Sequence, residues 1–186
     1  MTNKILLVDD ETNVLAALKR ALFDEPLEIV TSSSAEDALE IMKEHHFKLV
    51  ISDERMFGMQ GSEFLAKVRE SYPDTIRIML TGHATLEAAM KAVNEGEIYR
   101  FFSKPWGDHD LKFAIRSAIE KYDLETENRR LLDTVRKQSL EIKVLEKRYP
   151  GISRVEKDSC GVFVLPDIPD DEILSMLADC EKEKDA

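Results

Sequence analysis

Short, largely apolar runs alternate along the first part of the chain with stretches whose apolar residues recur every three or four positions. The runs at residues 4–8 (KILLV), 27–31 (LEIVT), 48–52 (KLVIS), 76–80 (IRIML) and 98–101 (IYRF) have the length and β-branched content of buried strands. Between them, Val14, Leu15, Leu18, Ala21 and Leu22 share one helical face. So do Ala35, Ala38, Leu39 and Met42, then Phe64, Leu65 and Val68, then Leu86, Ala89, Met90 and Val93. Ser34, with Asp37 three residues on, reads as the cap that opens the second of these helices. Near-continuous apolar strands alternating with amphipathic helices predict an α/β fold: a doubly wound, five-stranded parallel sheet with right-handed crossovers.

The helix beginning near Asp108 carries on past a compact domain. Ile115, Ile119 and Tyr122 can face the sheet, and beyond them Leu124, Asn128, Leu131, Val135, Gln138, Ile142, Leu145 and Tyr149 recur at alternating gaps of four and three. With Asn128, Val135, Ile142 and Tyr149 as a positions and the others as d, the seam predicts a parallel two-stranded coiled coil over residues 124–149, hence a homodimer. Gln138 in the seam and Glu141 facing Glu146 of a partner weigh against it, and a single helix packed on its own chain is the alternative. Pro150-Gly151 ends the helix. Residues 152–157 and 162–165 flank Asp158-Ser159-Cys160-Gly161 as a hairpin, and Pro169-Asp170 opens a last helix with Ile173, Leu174, Met176 and Leu177 on its apolar side. The predicted organisation is a first domain at residues 1–122, a helical extension at 123–149 and a ββα tail at 150–186, too small to hold a core of its own.

Charge and cysteine content narrow the classes. A net charge of −11 disfavours nucleic acid and anionic membrane as partners, and residues 150–186 carry four Lys/Arg against ten Asp/Glu. No apolar stretch approaches the roughly 20 residues of a spanning helix, and the run at residues 5–8 is too short for a signal peptide, so a cytoplasmic protein is expected. Cys160 and Cys180 form no C-x-x-C pair, and His45, His46, His83 and His109 have no ligand spacing, which argues against a transition-metal site.

The chemistry sits at the strand ends. Asp9-Asp10 ends the first run and Asp53 the third, while Lys104-Pro105 follows the fifth. A parallel sheet gathers such residues at its carboxyl edge, where three carboxylates repel one another unless a cation or an ammonium joins them. Few hard oxygen ligands with open positions favour Mg²⁺. The motifs V-D-D at residues 8–10, I-S-D-E-R-M at 51–56 with Gly61 behind it, L-T-G at 80–82 and F-F-S-K-P-W at 101–106 resemble the receiver domain of two-component response regulators over roughly residues 3–122.

That resemblance implies a flavodoxin-like sheet of order 2-1-3-4-5. It implies Asp53 as phosphoacceptor, supplied by a histidine kinase or phosphotransfer protein, with Asp10, Asp53 and the Arg55 backbone carbonyl as Mg²⁺ ligands and Asp9 holding metal-bound water. Lys104 would contact the phosphoryl group, and Thr81 would bind another of its oxygens. Inward movement of Thr81 would leave space for Phe101, and these two form the expected switch. Arg55 and His83 occupy the positions that set the lifetime of the acyl phosphate. Phe57 stands where the family commonly has proline, and the usual Lys-Pro bond of the family is cis. The stretch 98–106, ending in Trp106, resembles a subgroup often joined to transcription activators, cyclic-di-GMP phosphodiesterases or histidine kinases, and no such output domain is recognised in the residues that follow.

The leading expectation is a phosphorylation-controlled, dimeric response regulator, not an enzyme beyond possible autodephosphorylation, that signals by contact of its coiled coil and tail with a downstream protein. The alternative is a phosphate relay or sink with a structural tail. A Mg²⁺-dependent phosphohydrolase of the haloacid-dehalogenase type would need D-x-D-x-T/V, which neither Asp9-Asp10-Glu11 nor Asp53-Glu54-Arg55 supplies.

Overall fold

In the computed structural model the predicted alternation becomes β1 (Asn3–Val8), α1 (Thr12–Ala21), β2 (Leu27–Ser32), α2 (Ala35–Glu44), β3 (Leu49–Asp53), α3 (Gly61–Ser71), β4 (Ile76–Thr81), β5 (Arg100–Ser103) and a long helix α4 (Asp108–Arg148). Two short strands follow, β6 (Glu156–Lys157) and β7 (Phe163–Val164). The structure describes residues 3–82, 98–149, 156–157 and 163–164. The helix anticipated around Leu86–Val93, the residue His83 and the last helix of the tail lie outside the described residues.

Strands one to five form an all-parallel sheet of order β2-β1-β3-β4-β5. This is the doubly wound parallel sheet that the pattern predicted, in the flavodoxin-like order that the resemblance implied. Its two faces are separately packed because side chains alternate along each strand. Ile5, Leu7, Leu49, Ile51, Ile78 and Leu80 meet Leu15, Leu18 and Leu22 of the α1 region and Leu111, Ile115 and Ile119 of α4. Leu6, Val8, Val50 and Met79 meet Ala35, Ala38 and Met42 of α2 and Phe64, Leu65 and Val68 of α3. β3, central and buried at all five positions, carries Asp53 as its last residue.

Local chemistry explains the element boundaries. Ser34 caps α2, its Oγ accepting the Asp37 amide at 3.1 Å. β5 starts at Arg100, two residues later than the apolar run suggested. Ile98 is still buried, at 4% exposure, and Tyr99 N donates to Arg77 O at 2.7 Å before the ladder opens with Ile78 opposite Arg100. Its apolarity therefore serves the core without belonging to the strand.

The chain divides into two compact units, residues 1–131 and 132–186. In the first, Lys48 at the foot of β3 anchors the helix that closes the fold. Its Nζ lies 2.8 Å from Asn3 Oδ1 and 2.5 Å from Asp123 Oδ1, and 5.8 Å from the Tyr122 ring centroid. In the second, β6 and β7 pair antiparallel, Glu156 opposite Val164 and Lys157 opposite Phe163, as the hairpin reading anticipated.

Candidate functional site

Register brings the predicted residues together. Val8 pairs with Ser52, Asp53 with Leu80 and Thr81 with Ser103, so Asp9, Asp53, Thr81 and Lys104 emerge side by side at the carboxyl edge. Asp9, Asp53 and Thr81 are buried, at 0%, 5% and 3% exposure. The Lys104 Nζ bridges the two acids, 2.8 Å from Asp9 Oδ2 and 2.6 Å from Asp53 Oδ1. Its backbone N–H donates to Thr81 O at 2.8 Å, and the Lys104-Pro105 bond is cis.

Backbone amides hold the second oxygen of Asp9 and of Asp53 and one oxygen of Asp10. Glu11 N donates to Asp9 Oδ1, Arg55 N to Asp53 Oδ2 and Phe57 N to Asp10 Oδ2, each at 2.9 Å. Ser52 Oγ donates to Asp53 O at 2.9 Å and Glu54 N to Leu80 O at 2.9 Å, which fixes the strand end. Gly61 is required here by close approach: a Cβ at that position would fall 2.0 Å from Asp53 O. Arg55 is exposed at the mouth, while Phe101, on β5 opposite Met79, is partly buried against the α2–α3 side of the core.

Burial raises the Asp9 carboxyl above the ordinary aspartate value, with the Lys104 hydrogen bond and the Glu11 amide offsetting part of that cost. For Lys104, burial acts to lower the ammonium's pKa, but the hydrogen bonds and charges of Asp53 and Asp9 outweigh it, so the net shift is upward. Lys104 is thus the positive charge that makes two buried acids tolerable.

The carboxylates need a cation or an ammonium to join them, and among the described residues no three His, Cys, Asp or Glu side chains stand together as a metal cage. The ammonium takes the place between Asp9 and Asp53, and Asp10, exposed, is drawn to the Phe57 amide. The donor set still fits Mg²⁺, which keeps most of its waters and needs only one or two carboxylates with a carbonyl. Asp10, exposed, and Asp53, buried at the end of β3, carry hard carboxylate oxygens, and the exposed Arg55 carries a backbone carbonyl in the loop after β3.

Sequence reading identified the acids, the threonine and the lysine by type and order. It missed the three amide donors, because a backbone N–H carries no signature in the residue type that bears it.

A doubly wound parallel sheet whose switch edge holds buried acids under a lysine defines a flavodoxin-like α/β domain with an acidic strand-end pocket. Comparison with known proteins sharpens this. A family model described as "Response regulator receiver domain" matches residues 5–116. The hydrogenase transcriptional regulatory protein HoxA of Cupriavidus necator is 38% identical over 127 residues, 68% of this chain and 26% of that protein. A structure described as adenylate cyclase from Rhodopirellula baltica superposes with a TM-score of 0.67 at 42% identity, covering 72% of this chain and 98% of that one. The signal receiver domain of an HD domain-containing protein from Pseudomonas fluorescens Pf-5 gives 0.64 at 40% identity, covering 68% and 93%. The chain belongs to the response regulator receiver domain family of two-component signalling, a family phosphorylated on aspartate. It spans about a quarter to a third of the length of the curated relatives it matches.

Proposed function

We propose that Asp53 is the phosphoacceptor and that its phosphorylation by a histidine kinase or phosphotransfer protein controls protein contacts made through α4 and the tail. The observation that carries this reading is the bridged pair: Asp53, at the tip of the central strand, has Oδ2 fixed by the Arg55 amide and Oδ1 against the Lys104 ammonium. A carboxylate oxygen of Asp53 attacks phosphorus in line, the O–P bond forms as the donor N–P bond breaks, and the leaving imidazole keeps the electron pair. Asp10, Asp53 and the Arg55 carbonyl would hold Mg²⁺, with Asp9 acting through its waters. When bound, the ion offsets repulsion between the anionic nucleophile and the anionic donor.

Lys104 is placed to contact a phosphoryl oxygen once the acid it pairs with has reacted, and Thr81, at the neighbouring strand end, to donate its hydroxyl to another. Phe101, partly buried against the core, would bury further if Thr81 moves toward the phosphate. Arg55, exposed at the mouth, and His83 tune access of water to the acyl phosphate.

The output reading rests on α4. Leu124, Leu131, Val135, Ile142 and Leu145 are 45–72% exposed although they fall on one heptad seam. Burying a leucine-sized side chain is worth about 1.5–3 kcal/mol, so a second copy of this helix is the occupant that the spacing favours. A protein rather than a nucleic-acid output rests on the charge of −11. No helix among the described residues is long and apolar enough to cross a membrane.

Acetyl phosphate and Mg²⁺ should add a single phosphoryl group to the intact protein, and Asp53→Asn should take none. Full labelling of that variant sinks the assignment.

A further inference from the structure

Phe57 departs from the proline common in the family at this position, and the structure shows what the departure adds. Its amide donates to Asp10 Oδ2 at 2.9 Å, a bond that proline, having no N–H, could not make. We infer that the Phe57 backbone N–H is a positioning donor for Asp10: it holds the carboxylate for Mg²⁺ and thereby couples the loop after β3 to occupancy of the metal site. The inference rests on the proposed reading of Asp10 as a Mg²⁺ ligand.

Three features make the donor effective. Asp10 is exposed, so its side chain would otherwise sample several rotamers, and one fixed N–H removes much of that freedom. A carboxylate has about four acceptor sites on its two oxygens, so the amide leaves the other oxygen for a cation. The amide itself is held firmly from both sides. Met56, just before it, is buried at 4% exposure, and its carbonyl accepts Gln60 Nε2 at 3.2 Å. After it, Gly58 takes φ +85°, Met59 N donates to Glu36 Oε1 at 3.2 Å, and Gly61 N donates to Glu54 O at 2.9 Å. The phenyl ring, at 90% exposure, plays no part in this support. The position therefore acts through its N–H alone.

The test is calorimetric titration of the full chain with MgCl2. Phe57→Pro removes the N–H and should weaken Mg²⁺ binding roughly tenfold, the lower end of what losing a partner of a metal ligand costs. Phe57→Ala, the conservative variant that keeps the N–H and loses the ring, should bind as the wild type does. Equal affinity in Phe57→Pro, or an equal loss in Phe57→Ala, overturns the inference. Should the proline variant fail to fold, amide exchange by NMR decides: protection of the Phe57 N–H should be lost in Asp10→Ala, and protection unchanged there overturns the proposal. Absence of Mg²⁺ binding in the wild type removes the metal reading and this inference together, whereas binding that Phe57→Pro leaves intact removes the inference alone.

Discussion

Lys104 decides the electrostatics of the pocket at the scale of single residues. Its side chain is 19% exposed and bridges partners that are 0% and 7% exposed. Removing one member of such a buried set leaves charge uncompensated, at a typical cost of about 3–5 kcal/mol. Lys104→Met should therefore lower the denaturant midpoint of the metal-free protein by an amount of that order, and adding Asp9→Asn should recover part of the loss. Additive effects of the two changes would contradict the bridge. The pKa shifts give a second prediction. Asp9 titrates above its unfolded value, so its contribution to stability is present below that value and lost as pH rises through the folded one. Lys104 is also shifted up, and its contribution persists until strongly alkaline pH and is lost above its ordinary value. With metal chelated, wild type should lose stability relative to Asp9→Asn as pH rises from the acid range toward neutrality, in parallel denaturation series. The opposite slope would contradict the burial assigned to Asp9. Residue types at strand ends made Asp9, Asp53, Thr81 and Lys104 legible in the sequence. That Asp10 turns to the Phe57 amide was not legible, because residue type encodes no rotamer and no amide direction.

At the scale of elements, periodicity read the strands and helices well where a run was both apolar and paired. It misplaced the start of β5, since Ile98 is buried without joining the ladder. The anchor of α4 was also invisible: Lys48 reads as the polar edge of a strand, yet its side chain is 11% exposed and pairs with Asp123, 75 residues away. Asp123→Ala should destabilise the first unit by roughly 1–3 kcal/mol, less than a fully buried pair because Asp123 is 54% exposed. Amide exchange around residues 118–125 should quicken in that variant. Unchanged exchange there would show that the anchor is dispensable. The seam of α4 gives a further prediction. The full chain should sediment as a dimer at tens of micromolar, and truncation after Tyr122 should leave a folded monomer. A dimer that survives truncation would place the interface elsewhere.

The whole molecule joins a receiver to a helix that outruns it and a short hairpin beyond. Family membership follows from the match over residues 5–116 and from the arrangement of the sheet. The output does not follow from them, because the curated relatives align over only a quarter to a third of their length. For phosphate to change contacts made through α4 it must favour one of two conformations, and about 1.4 kcal/mol of differential interaction shifts that balance tenfold. The proposed output depends on Asp53 as the acceptor. The most direct measurement is to phosphorylate the protein with a phosphohistidine donor or acetyl phosphate, trap the acyl phosphate by borohydride reduction and map the product by tandem mass spectrometry. The proposal predicts homoserine at position 53 and nowhere else. Homoserine at Asp9 or Asp10, or a labelled protein with none at position 53, would contradict it.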